Sequence, residues 1–195
     1  QTTSPANTFS DTAGTYWEDA ILKLHASGVY LGNQGKALSS STITRQQAVA
    51  MIGRAFNIAP ETASVSYADG GSYADGGSIA EYALPYVAEF EAHGYLTDCA
   101  DGRFRPTDAI TRAEIVNILG NMIHTLVKEN TTLTTDVPGT LLISAEDGAA
   151  LKGIHISGDL ILAPGVKGNV TLTDTSVSGS IRNYGTGQVV FAESK

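Results

Sequence analysis

Apolar residues at helical spacing alternate with polar loops over the first two-thirds of the chain, and give way to short alternating strands beyond it. Trp17, Ala20, Ile21 and Leu24 fall at i, i+3, i+4 and i+7, the spacing of one buried stripe on an amphipathic helix. Val49, Ile52 and Phe56 repeat the pattern briefly. Ile115, Ile118, Leu119, Met122, Ile123 and Leu126 extend it into a longer stripe. Gly28 and Gly94 suit the left-handed position that closes a helix, and Pro85 suits a helix start. After Asn130 the texture becomes Thr, Ser, Val, Ile and Gly.

The helical part repeats itself. Ile-Thr-Arg occurs at 43–45 and again at 110–112, 67 residues later. Each copy follows a helix-and-glycine segment, 16–32 and 81–98, and each of those follows an aromatic-x-Asp signal, Phe9-Ser10-Asp11 and Tyr73-Ala74-Asp75. The hexapeptide Ser-Tyr-Ala-Asp-Gly-Gly, said twice across 66–77, reads as the seam between the copies. Thr44 with Gln47, and Thr111 with Glu114, have the spacing of a capping box. Ile110 with Ile115 has that of a hydrophobic staple, and Ile43 with Ala48 that of a weaker one. Arg45 and Arg112 stand in the first turn of their helices, against the positive end of the dipole, at a cost of about 0.3–1 kcal/mol if exposed. Something negative should offset that cost. Two candidates remain open: a carboxylate of the chain itself, or an anionic ligand held where arginine and helix amides converge.

The glycine-rich part repeats as well. Residues 148–161 align with 169–182 at a constant offset of 21, pairing Leu151 with Leu172, Ile156 with Val177, Gly158 with Gly179 and Leu160 with Ile181. Segments 140–145 and 188–192 would supply further strands. Such a period points to a β-solenoid whose apolar positions stack turn upon turn. A small β-sandwich is the rival reading.

Composition narrows the function. The chain has 195 residues, 42% of them hydrophobic and 16% charged, as expected of folded domains. Its net charge of −8 argues against a general nucleic-acid partner. No apolar run is long enough for a membrane span. A single cysteine, Cys99, excludes an intrachain disulfide framework and a thiolate-rich zinc site. The sequence shows no basic neighbour that would activate it. His25, His93, His124 and His155 are scattered, and His25 and His93 suit the C-terminal ends of helices. Asp98, Asp101 and Asp108 imitate a calcium loop but lack its alternating ligands and terminal glutamate. No metal or cofactor site is expected. The start, Gln1 to Ser10, is small and polar, as in a processed secretory protein. Glu146, Asp147, Asp159 and Asp174 keep one catalytic reading open, a polysaccharide lyase or hydrolase on the solenoid face, although solvated turns explain them as well.

These motifs resemble the S-layer homology family. The second copy carries nearly the whole signature in Asp101–Glu114, DGRFRPTDAITRAE. The first departs from it, with Leu38-Ser39-Ser40 in place of Phe-Arg-Pro and Gln47 in place of the glutamate. The resemblance covers roughly residues 9 to 128. It implies an α+β multidomain protein: helix-loop-helix modules at 1–66 and 67–130, then a small right-handed parallel β-helix, or β-solenoid, at 131–195. It also implies a secreted, non-catalytic anchor that holds cell-wall polysaccharide, often a pyruvylated glycan, at the bacterial surface. By motif, Arg45 and Arg112 become anion contacts and Trp17 a sugar-stacking platform. Asp11 and Asp75 join this glycan-binding set, or order their loops. In the family three modules usually pack as a pseudo-threefold unit, so a second copy or a partner would supply the third. The alternative is a structural protein whose modules mediate self-association without glycan binding.

Overall fold

The computed structural model describes residues 8–58 and 73–193. The whole first copy of the doubled hexapeptide, 66–71, and Ser72 of the second therefore lie outside the described residues, and with them most of the proposed seam. The chain divides into two compact units, Gln1–Asn117 and Ile118–Lys195.

The first unit is helical, with α1 (Glu18–Ala26), α2 (Arg45–Ala55), α3 (Leu84–Ala92) and the start of α4 (Arg112–Met122). Gly28 and Gly94 close α1 and α3 in the left-handed region, at φ 74° and 71°. Each closing turn is stapled by two backbone bonds, Gly28 N to His25 O with Val29 N to Leu24 O, and Gly94 N to Glu91 O with Tyr95 N to Phe90 O. Pro85 sits in the first turn of α3, where its missing N–H costs nothing. The histidines serve the same helix ends: His25 Nδ1 donates to Tyr30 O and His93 Nδ1 to Glu89 O, each at 2.8 Å.

Two of the expected stripes need correction. In α1 it is Leu22 that is buried, with Ile21 half-buried beside it, whereas Trp17 and Leu24 are each 42% exposed. The cause is the start of the helix at Glu18, which leaves Trp17 outside it, and the partners that receive the inner face: Phe9, Ala37 and Tyr30. The long stripe ends early. Helix α4 stops at Met122, because His124 N and Thr125 N turn to Thr140 O and the chain enters a strand, leaving Leu126 45% exposed.

The second unit is a β-solenoid of about four turns. Strands β1 (Thr125–Val127) and β2 (Thr132–Leu133) make the first turn. Strands β3 (Leu141–Ile143), β4 (Ala149–Lys152) and β5 (His155–Ile156) make the second, and β6 (Leu160–Leu162), β7 (Val170–Thr173) and β8 (Ser176–Val177) the third. Strands β9 (Ile181–Asn183) and β10 (Val189–Ala192) open the fourth. They stack into three sheets, β1-β3-β6-β9, β2-β4-β7-β10 and β5-β8, and every ladder is parallel. All-parallel pairing between successive turns removes the sandwich alternative. The 21-residue alignment is the register of the third turn on the second: Leu151 pairs with Leu172, Ile156 with Val177 and Leu160 with Ile181.

Inward positions stack like on like. Leu133, Leu151, Leu172 and Phe191 form one column, and Leu141, Leu160 and Ile181 belong to another. Leu141, Leu151 and Leu160 are fully buried, and together with Ile143, Ile156, Leu162 and Val170 they fill the core. Phe191, in the last turn, is 70% exposed. A third column is made of glycine. A Cβ on Gly158 would lie 2.7 Å from the Gly139 backbone, and one on Gly179 2.8 Å from that of Gly158. The turns can follow one another at sheet spacing only because no side chain stands there.

Candidate functional site

The two sequence copies are built alike where their acids act. Asp11 accepts from the amides of Ala37 and Leu38 at 2.7 and 2.8 Å. Asp75 accepts from those of Phe104 and Arg105, both at 2.9 Å. In each pair the second residue is left-handed, Leu38 at φ 54° and Arg105 at 57°, which turns two successive amides toward one carboxylate. The amide of Ala37 holds the Asp11 carboxyl below its ordinary range. Partial burial would raise that of Asp75, but the amides of Phe104 and Arg105 outweigh it and bring it down. Both carboxylates are therefore committed to ordering loops. The aromatics two residues before them are core: Phe9 packs edge-on to His25, and Tyr73 lies 5.7 Å from Phe104.

The helix starts also match. Thr111 and Glu114 form a complete capping box, with Thr111 N to Glu114 Oε2 at 2.7 Å and Glu114 N to Thr111 Oγ1 at 3.2 Å. In the first copy the Thr44 amide donates to Gln47 Oε1 at 2.9 Å. The two Ile-Thr-Arg segments lie side by side, since Thr44 and Ala109 form an antiparallel bridge. Ile110 N donates to Ile43 O, Arg45 N to Asp108 O and Gln46 N to Pro106 O. The DGRFRPTD loop thus occupies the amide end of α2, where an anion had been one of the two expectations for Arg45.

The Arg45 side chain is consumed in the same way. It is 2% exposed. Its Nη1 and Nη2 grip Asp98 at 2.6 and 2.7 Å, Nη1 reaches Glu114 at 3.0 Å, and Nη2 lies 3.2 Å from Cys99 Sγ. The guanidinium also stands over the Phe104 ring, 5.3 Å from its centroid. Burial would depress its pKa, but the hydrogen bonds and charge of Asp98 more than reverse that. The offsetting charge is thus internal, one of the two possibilities for Arg45. Glu114 serves twice, since one oxygen caps α4 while the other holds Arg45. The fold also gives Cys99 the basic neighbour that its sequence context lacks. Burial still dominates and pushes the thiol up, which leaves it inert.

Arg112 differs. It is exposed at the start of α4, with no ion-pair or hydrogen-bond partner among the described residues. Trp17 is likewise open to solvent. The predicted set therefore separates into Arg45, Asp11 and Asp75, which build the fold, and Arg112 and Trp17, which remain available. Two of the three acids of the imitated calcium loop are also occupied: Asp98 by Arg45, and Asp101 by Arg105. On the solenoid, Glu146 pairs with Lys167 at 2.6 Å and Asp159 with Arg182 at 3.2 Å.

A further cationic site had no sequence signal of its own. Arg54, half-buried near the end of α2, places its guanidinium 5.4 Å from the centroid of the Tyr86 ring. Among the described residues the guanidinium makes one hydrogen bond, a long one of 3.4 Å to Val29 O. Tyr82, which precedes α3, is 45% exposed.

Among the described residues no helix is long and apolar enough to cross a membrane. No curated protein and no solved structure matches the chain. Residues 72–116 match the family model of the S-layer homology domain, and the match runs from the Asp75 loop through α3 and the DGRFRPTD loop into α4. That segment, which contributes the acids gripping Arg45 and the open Arg112, is an S-layer homology domain.

Proposed function

We propose that this chain is a secreted, non-catalytic anchor at the bacterial cell surface, and that its helical unit binds a carboxylate-bearing cell-wall polysaccharide, pyruvylated glycans included. Residues 9–58 act as a first S-layer homology module, and the solenoid as a stem. Carrying this reading is the contrast between equivalent arginines: Arg45 is neutralised inside the fold, whereas Arg112 presents its charge to solvent at a helix start. There, a guanidinium offers a two-pronged contact to an anion of the ligand. Trp17 adds an exposed aromatic face for a sugar ring. The internal pairing of Glu146 and Asp159 supports a stem over an enzyme.

The test is co-sedimentation with purified sacculi, before and after their polysaccharide is stripped. Binding should disappear on stripping, and Arg112→Ala should weaken it about tenfold, the loss of one charge-assisted bidentate contact at about 1.4 kcal/mol. Its unfolding midpoint should stay that of the parent. Undiminished binding to stripped sacculi would refute glycan recognition. A second reading, self-association without glycan, is favoured by one observation: the Ile-Thr-Arg segments already bind one another through the Thr44–Ala109 bridge. Sedimentation equilibrium of the parent and of Arg112→Ala decides it, since a monomer at all concentrations excludes it.

A further inference from the structure

The last turn of the solenoid leaves its stack open. Strands β9 and β10 are outermost in their sheets, and among the described residues no strand lies beyond them. Leu160 N donates to Ser180 O and Val170 N to Gln188 O, which fixes the phase of both edges. Alternate residues of a parallel ladder turn their N–H and C=O to opposite sides. Ile181 and Asn183 on β9, and Val189 and Phe191 on β10, therefore aim theirs away from the third turn. The apolar columns stop at the same place. Phe191 stands on Leu172 and Ile181 on Leu160, both exposed where the residues beneath them are buried.

Edges of this kind are ordinarily blunted by lysine, proline or a covering element. Residues 180–192 hold no lysine and no proline, and β10 carries no charge at all. The one charged residue of the turn, Arg182, is drawn to Asp159 in the turn below. In a chain of net charge −8, this end is a surface that two copies can bring together without opposing their acids. The other end of the core is shut, since Val127 and Val137, inward residues of the first turn, are buried. A stack with one open end cannot propagate. Its complement within this chain is the same end of a second copy, an isologous two-fold contact.

We propose that two copies of this chain join through their last solenoid turns, β10 of one pairing antiparallel with β10 of the other. With the two-fold axis at Val190, Val189 of each copy faces Phe191 of the other, and each such pair exchanges both of its backbone bonds. This register keeps the inward side chains inward, so the Phe191 rings close the gap between the facing cores. Val190, on the outer face, meets its own symmetry mate. The contact is separate from Arg112 and from the Thr44–Ala109 bridge, and holds whether or not the helical unit binds glycan. One short strand pair and the column ends make a small interface, so the dimer belongs to the weak, reversible class.

Sedimentation equilibrium of the full chain should give a mass that rises with concentration from the 20.3 kDa of one copy toward twice that value. Val189→Pro removes an N–H that faces away from the ladder, and Phe191→Lys sets a charge on the edge; each should weaken association about tenfold or more. Melting followed by far-UV circular dichroism should not move, and Arg112→Ala should associate as the parent does. Cysteine variants test the register independently of any loss of folding in the first two. Directly opposed residues of an antiparallel pair lie within disulfide reach, so Val190→Cys should cross-link into a dimer on oxidation with diamide. Ala192→Cys, farther from the axis, should not, and the buried Cys99 stays out of the reaction. A parent that remains monomeric throughout, equal cross-linking by the two cysteine variants, or a dimer dissolved by Arg112→Ala and not by the solenoid variants would overturn the inference. None of these readouts involves sacculi, so the anchoring role stands or falls apart from them.

Discussion

Arg45→Met is the sharpest test of how the helical unit is assembled. The substitution keeps much of the buried stem and deletes the guanidinium that Asp98 and Glu114 share. Removing one partner of a buried ion pair costs about 3–5 kcal/mol, because the other charge stays desolvated. Here the abandoned side chains are 25% and 29% exposed, so water can reach them and the lower end of the range applies. The stacking of the cation over Phe104 is also lost. An estimate of about 3 kcal/mol follows, a shift of roughly 2 M in urea midpoint for a unit of this size. Arg45→Lys retains the charge and loses the two-pronged grip on Asp98, at about 1–2 kcal/mol. Trp17 is the only tryptophan in the chain and belongs to the helical unit, so its fluorescence reports that unit apart from the solenoid. Adding Asp98→Asn to each background yields the coupling, expected at about 2 kcal/mol or more. An Arg45→Met protein within about 0.5 kcal/mol of the parent, the scatter of ordinary surface substitutions, would refute the reasoning.

Acid should weaken the same unit. The Thr111 amide leads in lowering the Glu114 carboxyl, and Arg45 lowers that of Asp98 against the burial that would raise it. Both groups bind protons more readily when unfolded, so the stability they add is complete above their unfolded pKa of about 4 and drains away as pH falls through the folded values. The Trp17 midpoint should be insensitive to these groups between pH 7 and 5 and fall below about pH 4, with a shallower fall in Arg45→Met. Equal slopes in the two proteins would exclude the network as the cause. In the solenoid, Gly158→Ala places a methyl group 2.7 Å from the Gly139 backbone and should destabilise the stack by about 1–3 kcal/mol. Far-UV circular dichroism should show that loss while Trp17 fluorescence stays unchanged, and no change in either would refute the glycine column.

Sequence periodicity revealed more of the solenoid than of the helical unit. An inward residue in a parallel stack meets the same position one turn later, so the 21-residue alignment reads directly as contact, down to Leu151 on Leu172. Helix stripes are less informative in short helices packed by loops. The face of α1 was set by Phe9 and Ala37, residues outside the helix, and the Trp17 stripe misjudged it. Of the site, the arginines were legible as anomalies at helix starts. Their fates were not. Identical Ile-Thr-Arg motifs put one guanidinium in the core and the other in solvent, because the difference lies in Asp98, 53 residues from Arg45. Arg54 carried no signal, since its meaning comes from Tyr86 on another helix.

The bond between Arg45 and Asp98 also bears on how this protein can be divided. The segment recognisable by family, 72–116, contains Asp98 and Glu114 but not the cation that satisfies them. Cut out along the limits of its resemblance, it would leave Asp98 without its cation, Glu114 with its helix cap alone, and a bare edge at Ala109. The unit of homology is thus smaller than the unit of folding. Transplanting the helical unit onto another protein requires both helical pairs together.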